Sequence, residues 1–308
     1  MTELTLLLPE LRRVAAFAAV RLWVARGDRL PDIARGREAA LRSAFEFLGA
    51  GLPAAALSRS LDSNDGKASD VAGALWLRAD PCHVMADAAA VRLLAWDNLG
   101  LTPEESAEFA RALRPLFGDA GFPLEPATPQ RWYLRCPPEA KLPTFAPPQA
   151  VLGADLLPHL PQGANERQWR HLLNEAQVIL HNHPLNQRRA QRGQVTANSV
   201  WFWGAGTLPA WVRTPFACVY SNDETVRALV AIARCMLRPV EAFAAARGSE
   251  SLLLDLATTP ELSGPLALVE RALRGGNVAA LTLRFESGEG ILFRRRHRWR
   301  VWRRVRAA

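Results

Sequence analysis

The sequence predicts an α/β fold whose core sheet is largely parallel, with a small α+β subdomain inserted into it. Short apolar runs alternate with amphipathic helices along residues 149–308, the pattern of parallel strands joined by crossover helices. Between residues 71 and 148 the order changes to strand, strand, helix, strand, strand. Pro137, Pro138, Pro143, Pro147 and Pro148 then form a stiff linker. The expected divisions are therefore 1–70 as the first part of the core, 71–148 as insert and linker, and 149–308 as the second part of the core with a basic hairpin.

Thr5–Leu8 is an apolar run suited to a first buried strand. Leu11–Ala25 and Arg35–Leu48 repeat apolar residues at three and four, which predicts helices. Residues 58–70 are polar and turn-rich and predict a loop, so Ser58, Ser60 and Ser63 read as loop serines. Ala74–Arg78 and Val91–Ala95 read as strands. Thr102 and Glu105 form a capping-box signature for a helix running to about Phe117. Phe122–Glu125 and Arg131–Arg135 complete the insert. Asn165–Asn182 places Trp169, Leu172, Leu173, Ala176 and Leu180 on one helical stripe. Pro184 starts a second helix, Gly193 stops it, and Ser199–Trp203 reads as a strand. The three aromatics Trp201, Phe202 and Trp203 put one face in the core. The other face is core as well, or an interface or ligand wall. Phe216–Tyr220 is a strand followed by Ser221-x-x-Glu224, a second capping-box pattern, and a helix to about Leu237. Leu252–Ala257 (strand), Glu261–Arg274 (helix), and a hairpin of Val278–Phe285 with Ile291–Arg304 follow.

The chain has 308 residues, 49% of them apolar and 22% charged, ordinary values for a globular protein with a large core. No apolar run approaches the ~20 residues of a membrane span. Arg12 and Arg13 interrupt the first apolar stretch, which makes it a poor secretory signal. Cys82, Cys136, Cys218 and Cys235 are scattered without a CxxC, as expected of reduced thiols in a cytoplasmic protein. The net charge of +8 is local: residues 294–308 hold eight arginines and no acid. Without those eight, thirty basic residues face thirty acidic ones, so a uniformly basic nucleic-acid-binding body is not expected.

The segment His181–Gly206, HNHPLNQRRAQRGQVTANSVWFWGAG, carries the most specific pattern. It resembles the stretch HPxNxxRxxxGxxxAN, followed by a hydrophobic strand and GxG, of the archaeal-type cofactor-independent phosphoglycerate mutases. His183, Pro184, Asn186, Arg189, Gly193, Ala197, Asn198, Gly204 and Gly206 fill those places. Leu75–Asp87 and Asn174–Pro184 are closer still to the proteobacterial phosphoglycerate mutase-like, RpfE-type regulatory proteins. The resemblance is best from about Leu75 to Leu237. It implies an alkaline-phosphatase-like core with a small domain interrupting it. In the enzymes of that superfamily a strand-end Asp, a Ser nucleophile at a helix start, and a late Asp/His run serve two divalent metals. Those metals activate the nucleophile and clamp the transferring phosphoryl oxygens.

This sequence departs from that pattern at each position. Leu8-Pro9-Glu10 stands where the family has an Asp-Gly. No Gly-Ser-Asp-type element precedes residue 58. After the late strand the chain reads ATTPELSGP, and the only later histidine is His297. The resemblance therefore implies a degenerate alkaline-phosphatase-like core without its metal ligands. Remaining candidates for catalysis are His183, Asp255 and Glu10.

His183 is either a metal or phosphate ligand beside Arg188 and Arg189, or a side chain that pairs backbone groups where Pro184 ends a helix. Asn186 and Asn198 suit ligand contact or loop-tying hydrogen bonds. Gly204 and Gly206 either present backbone N–H groups to a phosphate or close a tight turn. Along the arginine segment, strand alternation would put Arg294, Arg296, Arg298, Arg300 and Arg304 on one face with Trp302 among them. Such a face suits a polyanion, an acidic protein or a membrane surface, and equally a charge-protected sheet edge. The expected function is a phosphoglycerate mutase-like binding or regulatory protein with no cofactor. The alternatives are an active phosphomutase or phosphatase with an altered site, holding Mn or Zn, and a nucleic-acid or polyanion binder. A small phosphorylated ligand fits the first two readings.

Overall fold

A computed structural model describes residues 2–49, 51–63, 71–87, 90–244 and 250–303. In chain order the strands are β1 (Thr2–Leu8), β2 (Asp28–Leu30), β3 (Glu46–Phe47), β4 (Leu75–Ala86), β5 (Val91–Trp96), β6 (Leu124–Pro126), β7 (Trp132–Cys136), β8 (Ser199–Thr207), β9 (Val212–Arg213), β10 (Cys218–Tyr220), β11 (Met236–Arg238), β12 (Ser251–Asp255), β13 (Val278–Phe285) and β14 (Gly290–Arg294). Two compact units form, Met1–Gly49 with Pro209–Ala308, and Ala50–Leu208.

The first unit contains the mixed α/β sheet, in the order β11-β10-β12-β1-β13-β14-β2. The five strands from β11 to β13 run parallel; β14 runs against them and pairs antiparallel with both β13 and β2. Leu4, Leu6 and Leu8 of β1 are buried, and Leu7 on the opposite face is buried too. That two-sided burial is what a central parallel strand requires. Leu254, Leu281, Leu283 and Trp23 join the same core.

The second unit is antiparallel. β4 is its hub and pairs with β5, β7 and β8, while β6 pairs with β7. Helix Pro103–Asp119 begins at the expected capping box: Thr102 accepts from Glu105 N–H and Glu105 from Thr102 N–H. Helix Glu166–His181 buries the expected stripe, with Trp169 packed edge-on against Phe145 and Phe202 and tilted against Phe122. The sequence reading divided the chain after residues 70 and 148; the units divide after residues 49 and 208. The reason is β8, which pairs along β4 from Leu75 to Cys82 and so joins the antiparallel sheet.

Several elements differ from their sequence expectation. The first helix breaks into Leu11–Val14 and Ala18–Arg26, because Phe17 turns extended and caps the second piece. The next is only Arg37–Arg42; Phe47 instead enters β3 opposite β9. Ser58 and Ser60 lie in a helix, Ala54–Asp62, and Ser63 is its C-cap. The alanine run 54–56 favours that helix, and each serine hydroxyl folds back to a carbonyl of the preceding turn. The rest of the expected loop, 64–70, lies outside the described residues. The helix expected to reach Leu237 ends at Ala233, where Arg234 adopts a left-handed φ of 53° and β11 follows. The last strand stops at Arg294, and Arg295–Trp299 is a 3-10 turn.

β8 lies directly against the start of helix Ala54–Asp62. A Cβ at Gly204, where φ is +69°, would sit 3.0 Å from Ala54 Cβ and 3.2 Å from Ala55 N. At Gly206 it would sit 2.5 Å from Pro53 Cβ and 2.9 Å from Pro53 Cα. Overpacking of this kind forces backbone shifts. Gly206→Ala is expected to lower the unfolding free energy by about 1–3 kcal/mol in denaturant titration. An unchanged midpoint would mean that the helix start moves away without cost.

Candidate functional site

The carboxyl ends of parallel strands are where α/β proteins place ligands, because loops diverge there and open a crevice. In the first unit the register aligns four such ends. Leu7 of β1 stands opposite Asp255 of β12, Tyr220 of β10 opposite Leu254, and Leu8 opposite Phe285 of β13. Asp255, Ser221 and Glu286 therefore meet at one edge.

Asp255 is 1% exposed, yet its carboxylate is fully partnered. Arg37, the first residue of helix Arg37–Arg42, donates from Nη1 and Nη2 at 2.8 and 2.7 Å. Ser221 Oγ donates at 2.8 Å, and Ala257 N at 3.4 Å. Arg37 also lies 3.3 Å from Asp223. Asp223 is the N-cap of helix Glu224–Ala233, accepting from Val226 N at 3.0 Å. That overturns the capping-box reading of Ser221. With Asp223 capping, the Ser221 hydroxyl is free to serve Asp255 and to accept from Asp223 N.

Burial opposes the charge of Arg37, but Asp255, then Asp223 and Glu286, raise its pKa well above the usual range. Glu286 is half-buried. Burial first, with Asp255 and Asp223, raises its carboxyl above the ordinary value, against the pull of Arg37 and Arg13. Glu10 is exposed beyond the end of β1.

The other sequence candidates lie in the second unit. His183 is the N-cap of helix Pro184–Gln191, and its Nδ1 accepts from Leu185 N at 3.2 Å. Burial, foremost, lowers its pKa, and its ring stacks 5.0 Å from Phe109. Asn186 is buried and ties Leu180 O, Ala197 O and Ala197 N together. Arg189, 1% exposed, donates to Leu99 O, Val195 O and Glu105. Arg188 is exposed and pairs with Glu108 at 3.1 Å. Asn198 brackets both backbone groups of Val84. Asn198 and Gly206 stand at opposite ends of β8, roughly 25 Å apart at the rise of a strand.

Sequence reasoning missed a buried network in this unit. Asp80 is fully buried on β4 and accepts from Arg78 Nε (2.8 Å), Trp203 Nε1 (2.7 Å), Trp96 Nε1 (3.2 Å) and Trp132 N (3.3 Å). Arg78 also donates to Ser58 Oγ, and its guanidinium lies over the rings of Tyr133 and Trp203. Tyr133 donates to Asp62, which a bidentate Arg131 neutralises. The signal was present: two charges at alternate positions inside the apolar run LWLRADPC.

The arginine segment follows a turn rather than a strand, so its expected one-sided face does not form. Asp28 draws in Arg300 and, at 3.6 Å, Arg294. Arg296, Arg298 and Trp302 are exposed, and Arg304 lies outside the described residues. The four cysteines are free, and burial pushes the Cys136 thiol up to about 12.

No family model matches the chain. It is 42% identical over 66 residues to a probable 2,3-bisphosphoglycerate-independent phosphoglycerate mutase of Geobacter sulfurreducens, covering 21% of this chain and 16% of that protein. A 2,3-bisphosphoglycerate-independent phosphoglycerate mutase of Methanothrix thermoacetophila is 30% identical over 115 residues, 37% of this chain and 28% of its own length. The chain thus matches well under a third of each of these relatives. A solved cofactor-independent phosphoglycerate mutase from Thermoplasma acidophilum aligns over 95% of this chain and 89% of its own, at 16% identity and a TM-score of 0.37. The chain is phosphoglycerate mutase-like in part of its sequence, as its motifs imply.

Two outcomes follow from the strand-end cluster. Arg37→Ala leaves Asp255 buried and unpaired and is expected to cost about 3–5 kcal/mol of stability. Adding Asp255→Ala should recover part of that loss, and strict additivity in the double-mutant cycle would disprove the coupling. Glu286 has a raised folded pKa, so it ionises in the unfolded chain first. Its contribution falls as pH rises from the ordinary carboxylate pKa through the folded one, and the penalty is complete above both. Glu286→Gln should therefore raise the melting temperature at neutral pH more than at low pH. An equal shift at both would refute this assignment.

Proposed function

We propose that this phosphoglycerate mutase-like chain acts by binding, in a regulatory role, and does not transfer phosphoryl groups through a pair of divalent metals. The observation that carries the reading is the Arg37 guanidinium seated on Asp255 and Asp223 at the strand ends. A divalent cation at this edge needs carboxylate oxygens free to ligate it. Here a side chain that stays protonated throughout the working pH range supplies the positive charge instead. Ser221 takes further acceptor capacity of Asp255. The donor set therefore fits a guanidinium and does not fit a metal pair. Among the described residues, no group of three or more His, Cys, Asp or Glu side chains stands close enough to hold a metal ion. Without a metal or a base beside it, a serine hydroxyl is a poor nucleophile at neutral pH. Ser58, the most connected serine among the described residues of the second unit, is buried and hydrogen-bonded to Ala54 O.

No helix among the described residues is long and apolar enough to cross a membrane. A cytoplasmic location is part of the proposal, and the free cysteines support it.

Elemental analysis of the purified protein, followed by Mn²⁺ and Zn²⁺ titration, tests the reading. The expected result is no stoichiometric binding and no interconversion of 2- and 3-phosphoglycerate above background. Binding of one or two ions, with turnover that Asp255→Ala abolishes, would establish an active phosphotransferase instead.

A further inference from the structure

Residues 295–303 of the first unit hold a cationic and aromatic surface in place. The chain leaves β14 at Arg294, makes its 3-10 turn, and is pinned from below. Asp28 lies 3.3 Å from His297 Nε2 and accepts from Arg300 at 2.5 Å. Arg300 also donates to Arg26 O at 3.0 Å, and Arg303 to Gly27 O at 2.6 Å. Arg26 returns a bond to Arg298 O. His297 is fully buried with its ring against Phe293. Arg294, Arg300 and Arg303 are thus spent on anchoring the turn.

The side chains left to solvent are of two kinds. Arg295, Arg296 and Arg298 are exposed cations. Trp299, Val301 and Trp302 are 67%, 69% and 73% exposed. Residues 294–303 contain six arginines, no acid, and no Ser, Thr, Asn or Gln. Large apolar groups grouped on a surface mark an interaction site.

We infer that this surface docks on an anionic lipid bilayer. Tryptophan settles at the headgroup level, where its ring leaves water and its N–H keeps a partner. Arginine stems follow the apolar surface while their guanidinium groups meet lipid phosphates. Val301 decides between occupants. It has no π face on which a base can stack, but it gains from leaving water at the acyl boundary. A short turn with exposed tryptophans and arginines lies on a membrane surface, its rings at the headgroup level. This docking is independent of whether the strand-end cluster holds a metal.

Co-sedimentation of the full chain with vesicles tests it, comparing phosphatidylcholine alone with an equimolar mixture of phosphatidylcholine and phosphatidylglycerol. Binding is expected on the anionic vesicles only, weakening with salt. Trp299→Ala with Trp302→Ala should reduce it at least tenfold. Arg296→Glu with Arg298→Glu should reduce it by about fivefold or more for each arginine. All four side chains are exposed, so thermal midpoints should match the parent chain and report intact folding. No binding to anionic vesicles, or binding unchanged in both variants, would overturn the inference. Tighter binding to single-stranded RNA than to vesicles, lost in the same variants, would overturn it in favour of nucleic acid.

Discussion

A buried carboxylate must be neutralised where it stands, and Asp255 sets that demand for the whole carboxyl edge of the parallel sheet. Parallel pairing with β1 and β10 places it among strand ends, nearly without solvent. Two side chains answer by donating to it, Arg37 and Ser221, and a second acid, Asp223, faces the arginine. Gly36, at a φ of 105°, turns the backbone so that its N–H bonds Glu286 O and Arg37 follows toward the acid. Ser221 leaves the capping role to its neighbour and donates a second bond. Asp223 caps a helix with one oxygen and faces Arg37 with the other. Truncating Arg37 would strand two acids in a dry setting, which is why such clusters are sensitive to loss of one member.

The second unit meets the same electrostatic problem with different chemistry. Asp80 sits inside an apolar strand and is satisfied by one guanidinium, two indoles and a backbone N–H. The residues that look most like ligand groups in the sequence are spent likewise. Arg189 holds three backbone carbonyls and Glu105, Asn186 ties Leu180 to Ala197, and Asn198 holds Val84 of β4. The mutase-like motif is thus a set of internal ties that fix a loop–helix–strand passage.

Much of the fold was legible because it rests on local patterns. The Thr102–Glu105 box, the Trp169 stripe and the apolar run of β1 each declare themselves within a few residues. The alternation of strands and helices correctly predicted a largely parallel sheet. What escaped depends on contacts between distant residues. β8 reads like any buried strand, and only its pairing with β4 assigns it to the antiparallel unit. Ser221-x-x-Glu224 satisfies a capping pattern, yet the cap is Asp223, because Asp255, far along the chain, claims the serine. Arg37 carried no sequence signal at all: an arginine at a helix start is ordinary until its partner is known. The arginine run was visible as charge, but Asp28 decides which of its members face solvent.

The order in which these strands leave the ribosome has its own consequence. The second unit is continuous from residue 50 to 208, and its partners are all synthesised together. The first unit is split around it. Leu6 of β1 is made well before Leu254 and Leu283, its neighbours on either side, and waits for them. Pairings so far apart in sequence form slowly and leave an apolar strand unpaired in the interval. Once residue 208 has been made, the nascent chain therefore carries a complete inner domain while the sheet of the first unit still lacks β10 to β14. Chaperone dependence during translation should fall on the run TLLL of β1 rather than on the inner domain.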